Sequence, residues 1–415
     1  MPGQKLCVHK KKRRRCKMSK PFAELDPNTF KEIEAERQKR IDNASAASIP
    51  ETFPVNELAK RLHPNRQYMK IEKVTEMAPD AKCYRLVPDP SHGTTECAYF
   101  QAGQYLNVFM DIQGMKVNRA YSISSSPKSA LEGFYELTIK SVNDGLVSCY
   151  ILDHWKEGDE VEVSGPSGFF TYSPIRDAKT IIGIAGGSGI TPFLSMARAI
   201  VNEDEDFNMV LLYGSRKEDM ILYKAEFDAL EAACSRVKVV HVLSDEKREG
   251  YEHGFVNAEL IHKYAPANEP FSVFLCGPQA MYQFVDKELE SMNLERKYIR
   301  HELFGEVHNP AEQEDYPGCE NSTVQITVSI RDETKTVVGS ANDSVLQTLE
   351  RNGIAVPSRC RSGECGFCHS LLKSGNIYIP KSVDGRRLAD FKFGYIHPCV
   401  AFPLSDLVIE IPADK

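Results

Sequence analysis

Three cysteines, Cys360, Cys365 and Cys368, follow a Cys-x4-Cys-x2-Cys spacing, and thirty residues separate Cys368 from a fourth, Cys399. Such a loop has few ways to fold, because its three thiols must converge within one short turn. Four thiolates around two irons satisfy that geometry, and a short loop can wrap three of the four. A mononuclear zinc site would more naturally use two Cys-x2-Cys pairs. Gly363 and Gly366 allow the backbone to approach bridging sulfides, where its N–H groups can donate hydrogen bonds. Ser358 and Ser362 add small polar contacts. The remaining cysteines of the twelve in the chain are scattered singly. That distribution indicates intracellular metal ligation and not a disulfide framework. Cys360, Cys365, Cys368 and Cys399 are therefore the expected ligands of a [2Fe–2S] cluster.

Around this loop the pattern is strand (324–330), strand (334–339) and helix (344–352), with a closing strand at 407–411. Asp343 is the expected N-cap of the helix and Gly353 its C′ residue. The segment 322–415 resembles plant-type ferredoxins, above all those fused behind bacterial flavin reductases. The resemblance implies a β-grasp fold. Acidic and basic residues nearly balance in this segment, whereas free plant ferredoxins are strongly acidic, which suits a domain tethered to its electron donor.

The chain has 415 residues, 42% hydrophobic and 26% charged, enough for several soluble domains. No apolar run approaches the length of a membrane helix. Residues 1–20 hold nine Lys or Arg and no acid, leaving 42 basic against 58 acidic residues (−16) in the remainder. An acidic body argues against nucleic acid as the main partner. The basic start is expected to be a solvated tail. Residues 1–65 are an N-terminal extension with a helix-like stretch at 27–42. Residues 66–175 alternate short strands and glycine-bearing turns, the pattern of an antiparallel β-barrel. Residues 176–308 alternate apolar strands with helical stretches, the pattern of a parallel α/β nucleotide-binding domain. Residues 309–321 form a linker.

Within the barrel, Arg119-Ala120-Tyr121-Ser122 ends a strand. A flavin needs a cation for its phosphate, an aromatic face for its ring and a small donor near N5, and Arg119, Tyr121 and Ser122 can supply them. Gly145-Leu146-Val147-Ser148 comes where a helix starts, and helix-terminal N–H groups bind pyrophosphate. Gly145 and Ser148 thus favour FAD, with FMN the alternative. In the α/β segment, Gly186-Gly187-Ser188-Gly189-Ile190-Thr191-Pro192 follows a buried strand. Gly187 and Gly189 permit close phosphate approach, Thr191 offers a hydroxyl and Pro192 suits a first helical turn.

These motifs, in this order, resemble the ferredoxin–NADP reductase superfamily over about 66–305. The resemblance implies that Cys276, Gly277 and Pro278 shape the nicotinamide pocket. It also implies that Glu302 shuttles protons and that Phe304 covers the flavin. Ser215 and Arg216 should lie at the adenosine ribose. Arg216 could favour NADPH, but NADH-using relatives carry an arginine there too, and NADH is the expected donor.

The expected electron order is NAD(P)H, flavin, cluster, then an external redox protein such as an oxygenase, a corrinoid protein or another reductase component, with a cytoplasmic location. The alternative is an electron-transfer subunit permanently docked in a larger redox complex. The linker is expected to let the ferredoxin domain alternate between flavin and acceptor.

Overall fold

The computed structural model describes residues 27–44, 52–142, 145–303, 305–307, 309–319 and 322–412. Two compact units divide the chain, Met1–Asn56 and Glu57–Lys415. In the first, α1 spans Pro27–Asp42, as the sequence predicts. Helix α2, Pro54–Leu62, leads into the second. The expected basic tail and the 45–50 connection lie outside the described residues.

The second unit opens with six antiparallel strands: β1 Gln67–Ala78, β2 Ala81–Pro88, β3 Tyr105–Ile112, β4 Met115–Ser122, β5 Tyr135–Lys140 and β6 Glu160–Val163. Their order is β4-β3-β6-β1-β2-β5. A bridge from Ile123 to Leu137 brings the two ends together and closes the barrel. Alternation along the strands sends Met69, Ile71, Leu106, Val108, Leu137 and Val163 to a common interior. Two short helices, α3 (Pro127–Leu131) and α4 (Leu146–His154), interrupt the strands.

The next six strands are all parallel: β7 Thr180–Gly186, β8 Asn208–Ser215, β9 Val237–Leu243, β10 Glu252–His253, β11 Phe271–Cys276 and β12 Ile299–His301. Helices α5 (Thr191–Val201), α6 (Lys224–Ala233), α7 (Ala258–Tyr264) and α8 (Gln279–Ser291) cross between them. β7 is buried along its whole length, as a central parallel strand should be. The order β10-β9-β8-β7-β11-β12 reverses direction between β7 and β11. A crevice opens at such a switch point, outside the strands' C-terminal ends.

The last domain holds β13 Thr323–Ile330, β14 Glu333–Ser340, helix α9 Val345–Arg351 and β15 Ser370–Ser374. A two-stranded ribbon follows, β16 (Ile377–Tyr378) with β18 (Phe402–Pro403). Helix α10 (Leu388–Phe393), β17 (Tyr395–Ile396) and β19 (Leu407–Ile411) complete it. The main sheet runs β14-β13-β19-β15-β17. One cap differs from expectation. Ser344, not Asp343, caps α9, in a reciprocal box with Gln347. The Asp343 carboxylate is engaged by Arg351 instead.

The 309–319 stretch lies against the ferredoxin domain and is not a bare tether. Asp315 accepts hydrogen bonds from the Tyr378 hydroxyl (2.6 Å) and the Lys381 N–H (3.1 Å). No helix among the described residues is long and apolar enough to cross a membrane.

Candidate functional site

The cysteine loop brings its four thiols together. Cys368 and Cys399 lie 3.4 Å apart, sulfur to sulfur. The Cys365 N–H points at the Cys360 sulfur and the Phe367 N–H at Cys365, both at 3.4 Å. A bond from the Cys365 thiol holds Cys360 well below the usual thiol range, and the Ser362 hydroxyl and backbone N–H donors add to it. Cys368 is lowered in the same way by Cys399, while Cys365 and Cys399 are raised by the partners they bond to and by burial; two close pairs of thiols are the donor set a two-iron cluster requires. The turn is tight: a Cβ on Gly363 would meet the Val383 carbonyl at 2.3 Å. His397, on the far side, approaches the Gly363 carbonyl through Nδ1 at 2.6 Å.

The flavin motif lies along β4. Ser122 is buried and pairs in register with Tyr105 of β3. Tyr121 is largely enclosed; burial pushes its phenol up, with Arg119, Tyr84 and Cys149 in its field. Cys149 belongs to α4, so Tyr121 and the Gly145–Ser148 turn share one side of the barrel. Gly145 is the N-cap of α4 and supplies no side-chain cap, leaving first-turn N–H groups for an anion. Ser148 accepts from the Val142 N–H at 3.1 Å, and a Cβ on Gly145 would meet its hydroxyl at 2.7 Å. Beside the motif, Asn107 is fully buried with neither amide atom partnered among the described residues. A buried polar group without partners is what a missing ligand leaves behind. Arg119, the expected phosphate cation, donates to the Asn118 carbonyl at 2.8 Å and pairs with Glu306 at 3.4 Å.

The two nucleotide loops meet at the switch point. Gly187 has φ +54° with open space where a Cβ would lie, so it suits a loop that borders a ligand. Gly189 has a different reason for being glycine. Its Cβ would meet the Cys276 carbonyl at 2.2 Å, so its close approach is to the neighbouring loop and not to a phosphate. Thr191 is buried and donates its hydroxyl to the Ser188 carbonyl at 3.1 Å; Pro192 sits in the first turn of α5. A Cβ on Gly277 would meet the Met281 methyl at 2.1 Å, and Pro278 caps α8 against Gly186. The Tyr282 hydroxyl accepts from the Gly277 N–H at 3.0 Å and donates to the Glu302 carbonyl.

Cys276 is buried, and burial, with Glu302 nearby, pushes its thiol up. Burial also raises the Glu302 carboxyl well above the usual range, with Glu364 and Cys360 adding to it. Tyr105 stands in the same field: burial raises its phenol, and Cys365, Cys360 and Glu302 raise it further. Cysteine loop, flavin strand and nicotinamide loop thus converge. Phe304 lies outside the described residues. Ser215 ends β8, one residue past Gly214, which pairs with Gly186 at the glycine loop, and Arg216 follows. Arg216 is exposed and pairs with Asp245 at 2.9 Å.

Sequence reasoning missed Tyr105, Asn107, Glu306 and Arg361. Arg361 adjoins a cluster ligand, has φ +60°, and is buried between Glu350 and Glu306. Asn118 on β4 donates to the Ser358 carbonyl and accepts from the Ser358 hydroxyl, both at 3.0 Å.

Three families match in series: an oxidoreductase FAD-binding domain over residues 68–172, an oxidoreductase NAD-binding domain over 184–287, and a 2Fe-2S iron-sulfur cluster binding domain over 328–404. The chain is 34% identical over 229 residues to NADH-cytochrome b5 reductase 1 of Lodderomyces elongisporus, covering 54% of this chain and 73% of that one. It is 29% identical over 331 residues to a glycine betaine monooxygenase reductase subunit of Pseudomonas aeruginosa, covering 75% and 87%. Among solved structures it is similar to phthalate dioxygenase reductase, described as a modular structure for electron transfer from pyridine nucleotides to [2Fe–2S]. That likeness has a TM-score of 0.62 at 26% identity and covers 83% of this chain and 98% of the other.

Proposed function

The chain belongs to the ferredoxin–NADP reductase superfamily, as a flavin reductase with a plant-type [2Fe–2S] domain fused behind it, and from that premise we propose that it is the NADH-consuming reductase component of an oxygenase system. It moves electrons from a nicotinamide dinucleotide through FAD and a [2Fe–2S] cluster to a protein acceptor. Bound FAD supplies the exchange between a two-electron hydride donor and a one-electron carrier.

The chain's own residues do the rest. Arg119 and the first turn of α4 at Gly145 and Ser148 hold the flavin phosphates, Tyr121 backs the ring and Ser122 bonds its edge. Gly187 with the start of α5 seats the dinucleotide phosphates. Cys276, Gly277 and Pro278 wall the nicotinamide pocket, and Glu302, whose burial favours its neutral form, stands beside it. Cys360, Cys365, Cys368 and Cys399 bind the iron. The observation that carries the reading is the seat of the cysteine loop on β4, the strand that bears the flavin motif.

The choice of NADH rests on Asp245. Its carboxylate engages Arg216, which supports the reading that Arg216 is not free to hold a 2′-phosphate. The choice of an oxygenase rests on the similar reductase subunits, which serve glycine betaine monooxygenase and phthalate dioxygenase.

Anaerobic titration tests both parts. NADH should bleach the flavin and cluster absorbance together, NADPH should do so poorly, and the reduced chain should pass electrons to an oxygenase component encoded beside it. Flavin bleaching with an unchanged cluster band would sink the conduit. Bleaching by NADPH alone would sink the assignment of Asp245.

A further inference from the structure

A chain of buried charge runs from the flavin strand to the cysteine loop. Arg119 of β4 pairs with Glu306 at 3.4 Å. Glu306 also pairs with Arg361, and Gln347 of α9 donates to its second oxygen at 2.8 Å. Arg361 in turn grips Glu350 of α9 in a two-pronged pair at 2.6 and 2.8 Å. The Arg361, Glu306 and Glu350 side chains are 2%, 6% and 6% exposed, too deep for solvent to screen them as it does surface pairs. The two arginines hold the Glu306 carboxyl at about 2, overcoming the burial that would raise it. The carboxylate is thus charged at every working pH.

The placement of these groups is what gives them meaning. Arg119 belongs to the flavin motif, and Arg361 follows a cluster ligand directly. Glu306 is the one carboxylate among the described residues that ion-pairs with both. It comes from neither domain core but from the segment that joins them. β4 is also the first strand in the barrel's order, and short of the Ile123–Leu137 bridge its outer side is an edge, which the ferredoxin domain meets at Asn118 and near Gly114, whose carbonyl lies 3.3 Å from where a Gly353 Cβ would stand.

We propose that Glu306 is a positioning residue for the transfer between flavin and cluster: its carboxylate, shared by Arg119 and Arg361, bolts the cysteine loop to the flavin strand. This rests on the reading of the chain as a conduit from NAD(P)H to the cluster. Glu306 touches neither donor nor acceptor; it sets where the loop sits. A misplacement of about 1 Å can cost on the order of a hundredfold in a rate that depends on approach. The bolt also reaches the expected flavin-phosphate cation, so a filled flavin site and a seated ferredoxin domain share one ionic partner.

The test is Glu306→Gln in the full holoprotein. Mixed rapidly with NADH, the variant should reduce its flavin at the wild-type rate and its cluster at least about tenfold more slowly, with flavin and iron contents equal to wild type. Equal cluster rates in the two proteins would overturn the proposal. A second measurement needs no electron transfer. In the oxidised holoproteins, backbone hydrogen exchange at 115–119 of β4 should be faster in Glu306→Gln, because the loop that covers this edge is released. Identical exchange there would overturn the proposal. A wild-type protein that never reduces its cluster would count against the conduit itself, and the exchange comparison would still report on the bolt.

Discussion

The barrel meets its two neighbours by opposite means. Against the nucleotide domain it shares a single apolar core. Ala81, Ala102 and Phe170 pack with Ile181, Phe193, Phe207 and Phe274 in one cluster. Around it, Ser195 of α5 donates to the Ser125 carbonyl at 2.7 Å, and Arg198 joins the Ser124 carbonyl and Glu136. Against the ferredoxin domain, no apolar cluster among the described residues crosses the boundary. The ferredoxin core is drawn wholly from 324–411. What crosses is polar: two bonds between Asn118 and Ser358, and the ladder through Glu306. The first junction is a weld, since apolar contact is non-directional and lost only by unfolding. The second is a fastening of directed bonds, which holds one geometry and can be undone without exposing a core.

The largest effect that could break this contrast is at the weld. Phe170 packs edge-on to Phe193 at 5.6 Å and tilted to Phe274 at 5.1 Å. Phe170→Ala should cost about 3–5 kcal/mol and lower the melting of barrel and nucleotide domain together. If calorimetry shows them melting apart, they do not share a core.

Next comes acid. The Glu306 carboxyl is lowered from 4.5 to about 2, so its stabilising effect is complete above about pH 4.5 and is lost as pH falls through about 2. Two to three pKa units correspond to about 3 kcal/mol. Between those pH values the wild-type ferredoxin domain should loosen first, seen as rising protease cleavage at 306–321. Glu306→Gln should already be loose at pH 7 and lack that acid step. An acid profile shared by both proteins would remove Glu306 from the account.

Asn118→Ala removes both bonds to Ser358 and should cost about 1–3 kcal/mol. Hydrogen exchange should rise at 353–359 and stay unchanged in α5. A rise in both places would mean the junctions are coupled.

The smallest effect lies away from either junction. Asp245→Asn leaves the exposed Arg216 unpaired and should shift stability by under about 1 kcal/mol, while NADPH use improves several-fold in steady-state assays. A change in cluster reduction with NADH would show the tip to be less isolated than its geometry implies.

The sequence is a good guide where chemistry is local. The thiols are legible because their spacing is the loop. The parallel sheet is legible in 180–185, 237–243 and 271–276, where unbroken apolar runs mark buried strands. The turns at Gly187 and Gly145 are legible because a glycine at a helix start is a local signal, and the structure has helices opening there. The ladder was not, because Arg119, Glu306, Glu350 and Arg361 are distant in sequence and no period links them. Glu306 reads as one more acid just ahead of the linker, and Arg361 as a charge passed over between cysteines. Gly189 was legible as a necessary glycine but not for its reason, which is a carbonyl on another loop. The α9 cap was available to a closer reading, since Ser344 followed by Gln347 at the third position is itself a capping signal.

β4 serves two clients at once. Asn118 meets the ferredoxin loop, Arg119, Tyr121 and Ser122 form the flavin motif, and Arg119 reaches the ferredoxin side as well through Glu306. Inserting one residue before Asn118 would turn every one of these side chains to the opposite face; inserting two would restore the faces but slide the strand by about 6.6 Å. The spacing between the two redox centres is therefore written in the pleat of a single strand, and a lineage carrying this fold cannot lengthen that strand for either purpose without disturbing the other.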